Sequence, residues 1–176
     1  MTPDLTMSLE LTEHLQTTID SLTETFTDKV IDVYQSSGST FVRVEADAIL
    51  DICKHLKDEL KFDYLTDIFG VDRYTSDERF ELVYNLVSLR HGERVFIKIR
   101  CEEENPEVDS VVSVWPAANW AEREAYDMFG FNFKNHPDLR RMYMPEDFQY
   151  FPLRKEFPLL GIPGSIELPN TTPDTE

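Results

Sequence analysis

The sequence predicts an α+β fold: a two-layer domain with helices packed on a mixed β-sheet, followed by a short helix and an extended proline-rich C-terminal arm. Three observations favour this arrangement. Two segments repeat apolar residues at helical spacing, several short runs alternate like strands, and prolines interrupt the chain every few residues from position 137 onward. We assign residues 1–130 to the α+β domain and residues 131–176 to the arm.

Two amphipathic helices are predicted in the first third of the chain. The first spans roughly residues 9–27, where an apolar stripe recurs every three or four positions: Leu11, Leu15, Ile19, Leu22 and Phe26. The second has an inner face with similar spacing: Ile49, Ile52, Cys53, Leu56 and Leu60. We expect Cys53 and Cys101 to be ordinary thiols, because the chain has no Cys-x-x-Cys pair.

A first hairpin is predicted between these helices. Residues 30–34 and 40–44 are rich in β-branched and aromatic side chains and flank a Ser-Ser-Gly-Ser turn.

Three or four further strands are predicted after the second helix. Residues 62–74 predict a strand with a turn near Gly70, and residues 80–87 predict a central strand because both faces are apolar. A tight turn then leads into the alternating run 95–100, which predicts a second hairpin. An apolar run at 108–114 follows an acidic loop.

The overall charge restricts the classes of partner. The chain has 34 acidic and 17 basic residues, a net charge of -17, which repels nucleic acid and anionic membrane surfaces. It has no apolar run long enough to span a membrane and no basic-then-apolar leader, so we expect it to be made and kept in the cytosol.

Residues 115–160 differ from the rest of the chain. They hold 11 of the 21 aromatic residues and five of the ten prolines, and their charge is nearly balanced, with six basic and seven acidic residues. A near-neutral segment rich in aromatic residues on an acidic protein predicts a contact surface, since aromatic residues and arginine supply most interface energy.

A short helix is predicted at residues 120–129, at the start of this segment. We expect Asn119 to be its N-cap, Glu122 to complete a capping box and Gly130 to supply a left-handed C-terminal turn. We also expect Arg123 to pair with Asp127 at i,i+4, which leaves Glu124 for Arg140 or Arg141.

Catalytic and metal-binding alternatives for this region are weaker. Glu124, Asp127 and His136 could hold a metal, but no Glu-x-x-His pair supports such a site. His136 could act as an acid or base oriented by Asp138 or Glu124, although we favour a histidine that bonds backbone at a turn.

Charged residues in the middle of the arm also suggest partner contact. Arg154 and Lys155 could clamp an anion, yet no phosphate-binding loop or nucleophile elbow accompanies them, so a partner's carboxylate is the expected counter-ion. Prolines fix the arm's backbone and prevent a long helix, and its apolar content up to Ile166 requires a surface to lie on. We therefore expect no catalytic, metal-binding or cofactor-binding residue in this chain.

Four motifs resemble the signature of the 30 kDa subunit (the C subunit) of respiratory complex I. They are Trp-Pro-Ala-Ala-Asn-Trp-Ala-Glu-Arg-Glu-Ala-Tyr-Asp-Met-Phe-Gly from residue 115, His-Pro-Asp-Leu-Arg-Arg from 136, Pro-Glu-Asp-Phe from 145, and Pro-Leu-Arg-Lys-Glu-Phe-Pro from 152. This chain has Asn135 and Tyr150 where family members commonly have glycine. Asparagine tolerates a left-handed backbone, whereas tyrosine does so at a cost.

The resemblance implies a non-redox peripheral-arm subunit of a proton-translocating NADH:quinone oxidoreductase, at the cytoplasmic side of the cell membrane. Such a subunit is a separate chain of a hetero-oligomer and rests on the D subunit, a protein of about 49 kDa, through an obligate interface. The resemblance further implies that flavin, iron-sulfur clusters and quinone belong to partner subunits. We expect Arg140, Arg141 and Arg154 to pair with acids across or beside the interface, and five aromatic residues to anchor the arm: Trp120, Phe148, Tyr150, Phe151 and Phe157.

Three other functions stay open on the sequence. One is the same role in a ferredoxin- or hydrogenase-linked relative of complex I, since the electron donor binds to another subunit. A second is a free acidic interaction protein, and a third is a metal hydrolase that uses Glu124, Asp127 and His136.

Overall fold

The computed structural model describes residues 12–74, 77–104 and 106–162. The first half contains α1 (Glu13–Thr25), β1 (Val30–Ser36), β2 (Ser39–Val44), a single 3-10 turn (Ala46–Ala48) and α2 (Ile49–Asp58). The second half contains β3 (Tyr64–Asp72), β4 (Phe80–Ser88), β5 (Glu93–Cys101), β6 (Glu107–Asp109), α3 (Ala118–Phe129) and β7 (Asn132–Lys134). The predicted α+β arrangement is confirmed.

The main sheet has five strands in the order β1-β2-β5-β4-β3. Adjacent strands of this sheet are antiparallel, except for β2 and β5, which are parallel. The predicted mixed sheet is therefore confirmed. The two edge strands, β1 and β3, each have a register shift in their pairing. Such irregularities discourage the edges from pairing with another chain.

The core lies between one face of this sheet and the helices. Alternate residues of β4 are fully buried there: Phe80, Leu82, Tyr84 and Leu86. The predicted inner face of α2 is confirmed, because Ile49, Ile52, Cys53 and Leu56 are also fully buried. On α1, Leu15 and Leu22 are buried, while Leu11 lies outside the described residues.

The predicted turn near Gly70 is wrong, because β3 continues to Asp72. Gly70 has a different purpose within the strand. A Cβ atom there would lie 2.6 Å from the ring of Phe129, so the glycine lets the end of α3 pack directly on β3.

Within the described ranges, no helix has the length and apolar character needed to cross a membrane.

A second, two-stranded sheet was not predicted. β6 pairs in parallel with β7, and each strand has only three residues. Most of the apolar run 108–114 therefore lies outside any strand. Strands of three residues are too short to show a period-two pattern. Because β7 follows residue 130, the first residues assigned to the arm pair with a strand of the domain.

The start of α3 differs from the prediction, whereas its end agrees. The N-cap is Ala117, which makes no side-chain capping bond, so the proposed Asn119 cap is wrong. The preceding turn provides the acceptors instead, because the amides of Ala118 and Asn119 donate to the carbonyls of Trp115 and Pro116. Gly130 ends the helix in the left-handed conformation, as predicted.

Candidate partner-binding site

The C-terminal arm lies on its own domain as far as the structure describes it. The amide of Leu153 donates to the carbonyl of Met128 at 3.1 Å, and the amide of Lys155 donates to Asp72 Oδ2 at 2.7 Å. Phe148 is buried, with its ring near those of Tyr150 and Phe157. This chain therefore supplies a surface for the arm, which had been expected from a neighbour.

The Asp127 carboxylate is the main attachment between α3 and the arm. Its Oδ2 accepts hydrogen bonds from the amides of Met142, Tyr143 and Met144 at 2.9, 2.7 and 3.0 Å. Its Oδ1 accepts from Arg141 Nη1 at 2.7 Å. Burial alone would raise the pKa of Asp127, but these hydrogen bonds hold the pKa below its ordinary value.

The predicted pairs of Arg123 and Glu124 are both wrong. Arg123 donates to the carbonyls of Arg140 and Arg141 at 3.0 and 3.2 Å, because Arg141 already occupies Asp127. Glu124 accepts from the Tyr143 hydroxyl at 3.3 Å. Arg123 of α3 thus binds the backbone of the arm, and Arg141 of the arm binds Asp127 of α3. Both contacts fix the same stretch of the arm.

Glu122 joins α3 to the loop after β6, so the predicted capping box is also wrong. Its fully buried carboxyl accepts from Ser110 Oγ at 2.6 Å and from the Val111 amide at 2.7 Å. Burial raises the pKa of Glu122 to about 7, although these two hydrogen bonds act in the opposite direction.

This raised pKa predicts a pH-dependent stability with a definite sign. Between about pH 4.5 and 7 the folded chain binds more protons at Glu122 than the unfolded chain, so the contribution of Glu122 to the free energy of unfolding falls as pH rises through that window. Glu122→Gln is expected to remove roughly 2–3 kcal/mol of this decline. Urea unfolding at several pH values measures it, and Glu124→Gln, at an exposed neighbouring position, is the control. An unchanged slope in Glu122→Gln would contradict the assignment.

His136 bonds backbone at a turn, as predicted. Its Nε2 lies 3.2 Å from the carbonyl oxygen of Asn119, and its Nδ1 accepts the Asp138 amide at 3.0 Å. Burial lowers the pKa of His136, which favours the neutral ring that these two contacts require. In the part of the chain that the structure describes, no three His, Cys, Asp or Glu side chains are placed to hold a metal ion.

A group of ion pairs around the buried Arg79, which was not predicted, fixes the next part of the arm. Arg79, only 6% exposed, donates from Nε and Nη2 to Asp72 at 2.9 and 2.8 Å and from Nη1 to Glu103 at 2.6 Å. It also pairs with Glu156 of the arm. Burial opposes ionisation of Asp72, but Arg79 and two backbone amides hold its pKa down at about 2.

Arg154 attaches the arm to the end of α3. Its Nε donates to the Phe129 carbonyl at 2.7 Å, and its guanidinium lies 4.5 Å from the centre of the Phe151 ring and 4.7 Å from that of Phe80. Gly130 permits this approach. A Cβ at Gly130 would lie 2.7 Å from both Arg154 Nη2 and the Phe151 ring.

Gly130→Ala is therefore expected to be much more costly than Gly92→Ala. Both glycines have left-handed backbones, with φ of 85° and 66°, so the backbone strain of about 1 kcal/mol is matched. Of these two glycines, only Gly130 has atoms where the new methyl group would lie. The resulting overpacking adds about 1–3 kcal/mol to the loss of stability. Denaturant unfolding compares the two variants, and equal losses would show that Arg154 and Phe151 do not need this space.

The predicted interface residues fall into two groups. Arg141 pairs with Asp127 of this chain, and Arg154 donates to the Phe129 carbonyl and lies 4.0 Å from Glu156. Phe148 is buried, and Phe151 and Phe157 are half-buried. The exposed group comprises Trp120, Glu124, Arg140, Tyr150 and Lys155. Arg140 pairs with Asp138 at 2.9 Å, and both side chains are more than half exposed.

The two departures from the family pattern are accommodated. Asn135 has a φ of 62°, so it adopts the left-handed conformation for which asparagine is suited. Tyr150 has no positive φ, and the turn before Pro152 forms without that strain.

The family model described as "Respiratory-chain NADH dehydrogenase, 30 Kd subunit" matches residues 42–162. The NADH-quinone oxidoreductase C subunit of Geotalea uraniireducens (strain Rf4) is 44% identical over 140 residues, which cover 80% of this chain and 85% of that protein. The NADH-quinone oxidoreductase C 2 subunit of Rhizobium meliloti (strain 1021) is 49% identical over 139 residues, covering 74% of this chain and 76% of that protein.

Two solved structures share the fold. The trypsin-resistant fragment (1-134) of Nqo5 matches with a TM-score of 0.63 and 32% identity, over 72% of this chain and 99% of that one. A chain of the membrane-bound sulfane sulfur reductase, an archaeal respiratory membrane complex, matches in fold with a TM-score of 0.70 and 24% identity, over 82% and 86% of the two chains. This chain therefore belongs to the family of the 30 kDa subunit of the respiratory-chain NADH dehydrogenase, and it is one subunit of a hetero-oligomeric NADH-quinone oxidoreductase.

Proposed function

We propose that this chain is a non-redox docking subunit in the peripheral arm of a proton-translocating NADH:quinone oxidoreductase. It contacts the D subunit on the cytoplasmic side of the membrane, while partner subunits hold the flavin, the iron-sulfur clusters and the quinone. Its contribution to electron transfer from NADH to quinone is to hold partner segments in place.

The observation that carries this proposal is an exposed aromatic patch on an acidic protein. Trp120 and Tyr143 are 62% and 59% exposed, and the Tyr143 hydroxyl donates to Glu124, one helical turn after Trp120. The carbonyl of the exposed Arg140 is bonded to Arg123, whose guanidinium lies over the Trp120 ring. We call Trp120, Glu124, Arg140 and Tyr143 the α3 face. Segment 115–160, which contains the α3 face, is nearly neutral, whereas the chain has a net charge of -17. Exposed tryptophan, tyrosine and arginine are the residues that most often supply binding energy at interfaces.

Contacts behind the α3 face hold it in shape before any partner binds. The Arg123 guanidinium lies 4.9 Å from the centre of the Trp120 ring, and the Tyr143 amide is bonded to Asp127. Side chains that are already ordered lose less conformational entropy on association. The α3 face is therefore suited to tight and permanent contact.

A tagged chain purified from membranes tests the proposal. We expect it to recover the D subunit, and we expect the double variant Trp120→Ala/Tyr143→Ala to reduce that recovery at least tenfold, since such residues contribute about 2 kcal/mol or more each. Tyr64→Ala, at an exposed tyrosine of β3, is the control and keeps full recovery. The proposal is wrong if the wild-type chain recovers no D subunit, or if the double variant recovers as much as the wild type.

A further inference from the structure

A second surface feature lies on the arm, beyond the α3 face. It is a mainly apolar hollow of about 490 Å³. Its apolar lining comes from Tyr150, Phe151, Phe157, Pro158 and Ile162, and its polar lining from Gln149, Arg154 and Glu156. Leu159 and Leu160, which directly follow Pro158, are fully exposed. Two adjacent solvent-exposed leucines beside an apolar hollow form an apolar surface patch of the kind that marks a contact site.

The walls of this hollow are fixed by the rest of the chain. The rings of Tyr150 and Phe157 lie 5.6 and 6.2 Å from the buried ring of Phe148. Arg154 is held by the Phe129 carbonyl, and Glu156 is held by Arg79. The hollow is therefore already formed in the unbound chain.

The charges around the hollow indicate the chemistry of its occupant. Arg154 and Glu156 have partners within the chain, whereas no ion pair involves the exposed side chain of Lys155 among the residues that the structure describes. Lys155 is thus a cation beside the hollow that a partner's carboxylate can pair with, although the chain as a whole is strongly acidic. A second copy of this chain is a poor occupant, because two molecules with a net charge of -17 repel each other.

We propose that the hollow receives an apolar side chain projecting from a partner subunit, with a carboxylate beside it that pairs with Lys155, while Leu159 and Leu160 lie against the same partner. This inference rests on the proposed function, because it requires that the chain docks on another subunit. It adds a second contact, separate from the α3 face, and states what the partner presents there.

Cysteine labelling of Leu160→Cys tests whether this surface is covered. The leucine is fully exposed, so the substitution leaves the fold intact, and burial of Cys53 and Cys101 keeps the background low and raises the pKa of both thiols. We expect maleimide to label Leu160→Cys at least tenfold more slowly in the purified membrane complex than in the isolated chain. The control is Asp32→Cys, at an exposed position of β1, the edge strand opposite β3. We expect it to be labelled equally in the complex and in the isolated chain.

A charge reversal tests the chemistry of the occupant. Lys155→Glu is expected to reduce recovery of the complex at least fivefold, whereas Lys134→Glu, at an exposed lysine of β7, is expected to leave it unchanged. Equal recovery of the two variants overturns the proposed carboxylate.

The outcomes separate this inference from the proposed function. If the chain recovers the D subunit but Leu160→Cys is labelled equally in complex and isolated chain, the hollow is not an interface and only this inference fails. A dimer of the isolated chain that Leu160→Asp abolishes in light scattering would make a second copy the occupant and would also overturn it.

Discussion

Asp127→Ala is expected to release the arm from α3 and to lower the free energy of unfolding by about 3–5 kcal/mol. The substitution removes the acceptor of three consecutive backbone amides, from Met142 to Met144, and leaves the Arg141 guanidinium without its carboxylate. Asp127 is fully buried and the Arg141 side chain is 8% exposed, so water cannot readily replace these bonds.

Urea unfolding of the isolated chain measures this loss. Asp127→Asn keeps one side-chain oxygen as acceptor, and we expect its cost to be smaller than that of Asp127→Ala. A loss below about 1 kcal/mol for Asp127→Ala, the size of an ordinary surface change, would show that the arm is held by other contacts.

The same carboxylate has a pH dependence opposite to that of Glu122. Because the pKa of Asp127 is lowered in the folded state, its contribution is present above the unfolded pKa near 3.9 and is lost as pH falls toward the folded pKa. Asp127→Asn should therefore weaken the loss of stability in acid, while Glu122→Gln acts between about pH 4.5 and 7.

Arg79→Met is expected to cost about 3–5 kcal/mol, because the substitution leaves Asp72 as an unpaired buried charge. Two further carboxylates, Glu103 and Glu156, would then face Asp72 without a counter-ion. The expected result is detachment of the arm near residue 156 together with the loss of stability.

A matched arginine and a double variant test the reason for this effect. Arg43→Met removes a half-buried arginine whose partner, Glu78, lies 3.4 Å away with its side chain 44% exposed, so a loss below about 1 kcal/mol is expected. In the background Asp72→Asn, Arg79→Met should cost clearly less than in the wild type, because the buried charge is already absent. Equal costs in both backgrounds would contradict the proposed pairing.

Most helices and strands of the domain could be predicted because their patterns depend on neighbouring positions. The inner face of α2 and the alternation in β4 both follow from which side of the element is buried. Gly130 could be identified as the end of α3 because only a residue tolerant of positive φ suits that position.

The site could be predicted only in part, because its charged pairs join distant residues. Arg79 and Glu156 are 77 positions apart, and in the sequence each resembles a solvated surface charge. The i,i+4 rule favoured Arg123 as the partner of Asp127, but Arg141 binds it from the arm. A rule based on spacing within one helix does not include residues that the fold brings in from elsewhere. Arg141, from the arm, is such a residue at the Asp127 carboxylate.

Over residues 135–162, the part of the arm after β7 that the structure describes, no helix forms, and the prolines there shape turns on the chain's own surface. The amide of Phe148 donates to the Pro145 carbonyl and that of Gly161 to the Pro158 carbonyl, which are bonds of tight turns. Such turns let the arm follow α3 and then the end of β3.

Amide hydrogen exchange on the isolated chain tests most directly whether the arm is shaped by this chain and then presented to a partner. The amides that bond to Asp127, Asp72 and Met128 belong to Met142, Tyr143, Met144, Lys155 and Leu153. We predict that they exchange as slowly as the amides of α3 without any other subunit present. Exchange at the rate of an unstructured chain, with protection only in the assembled complex, would contradict the account.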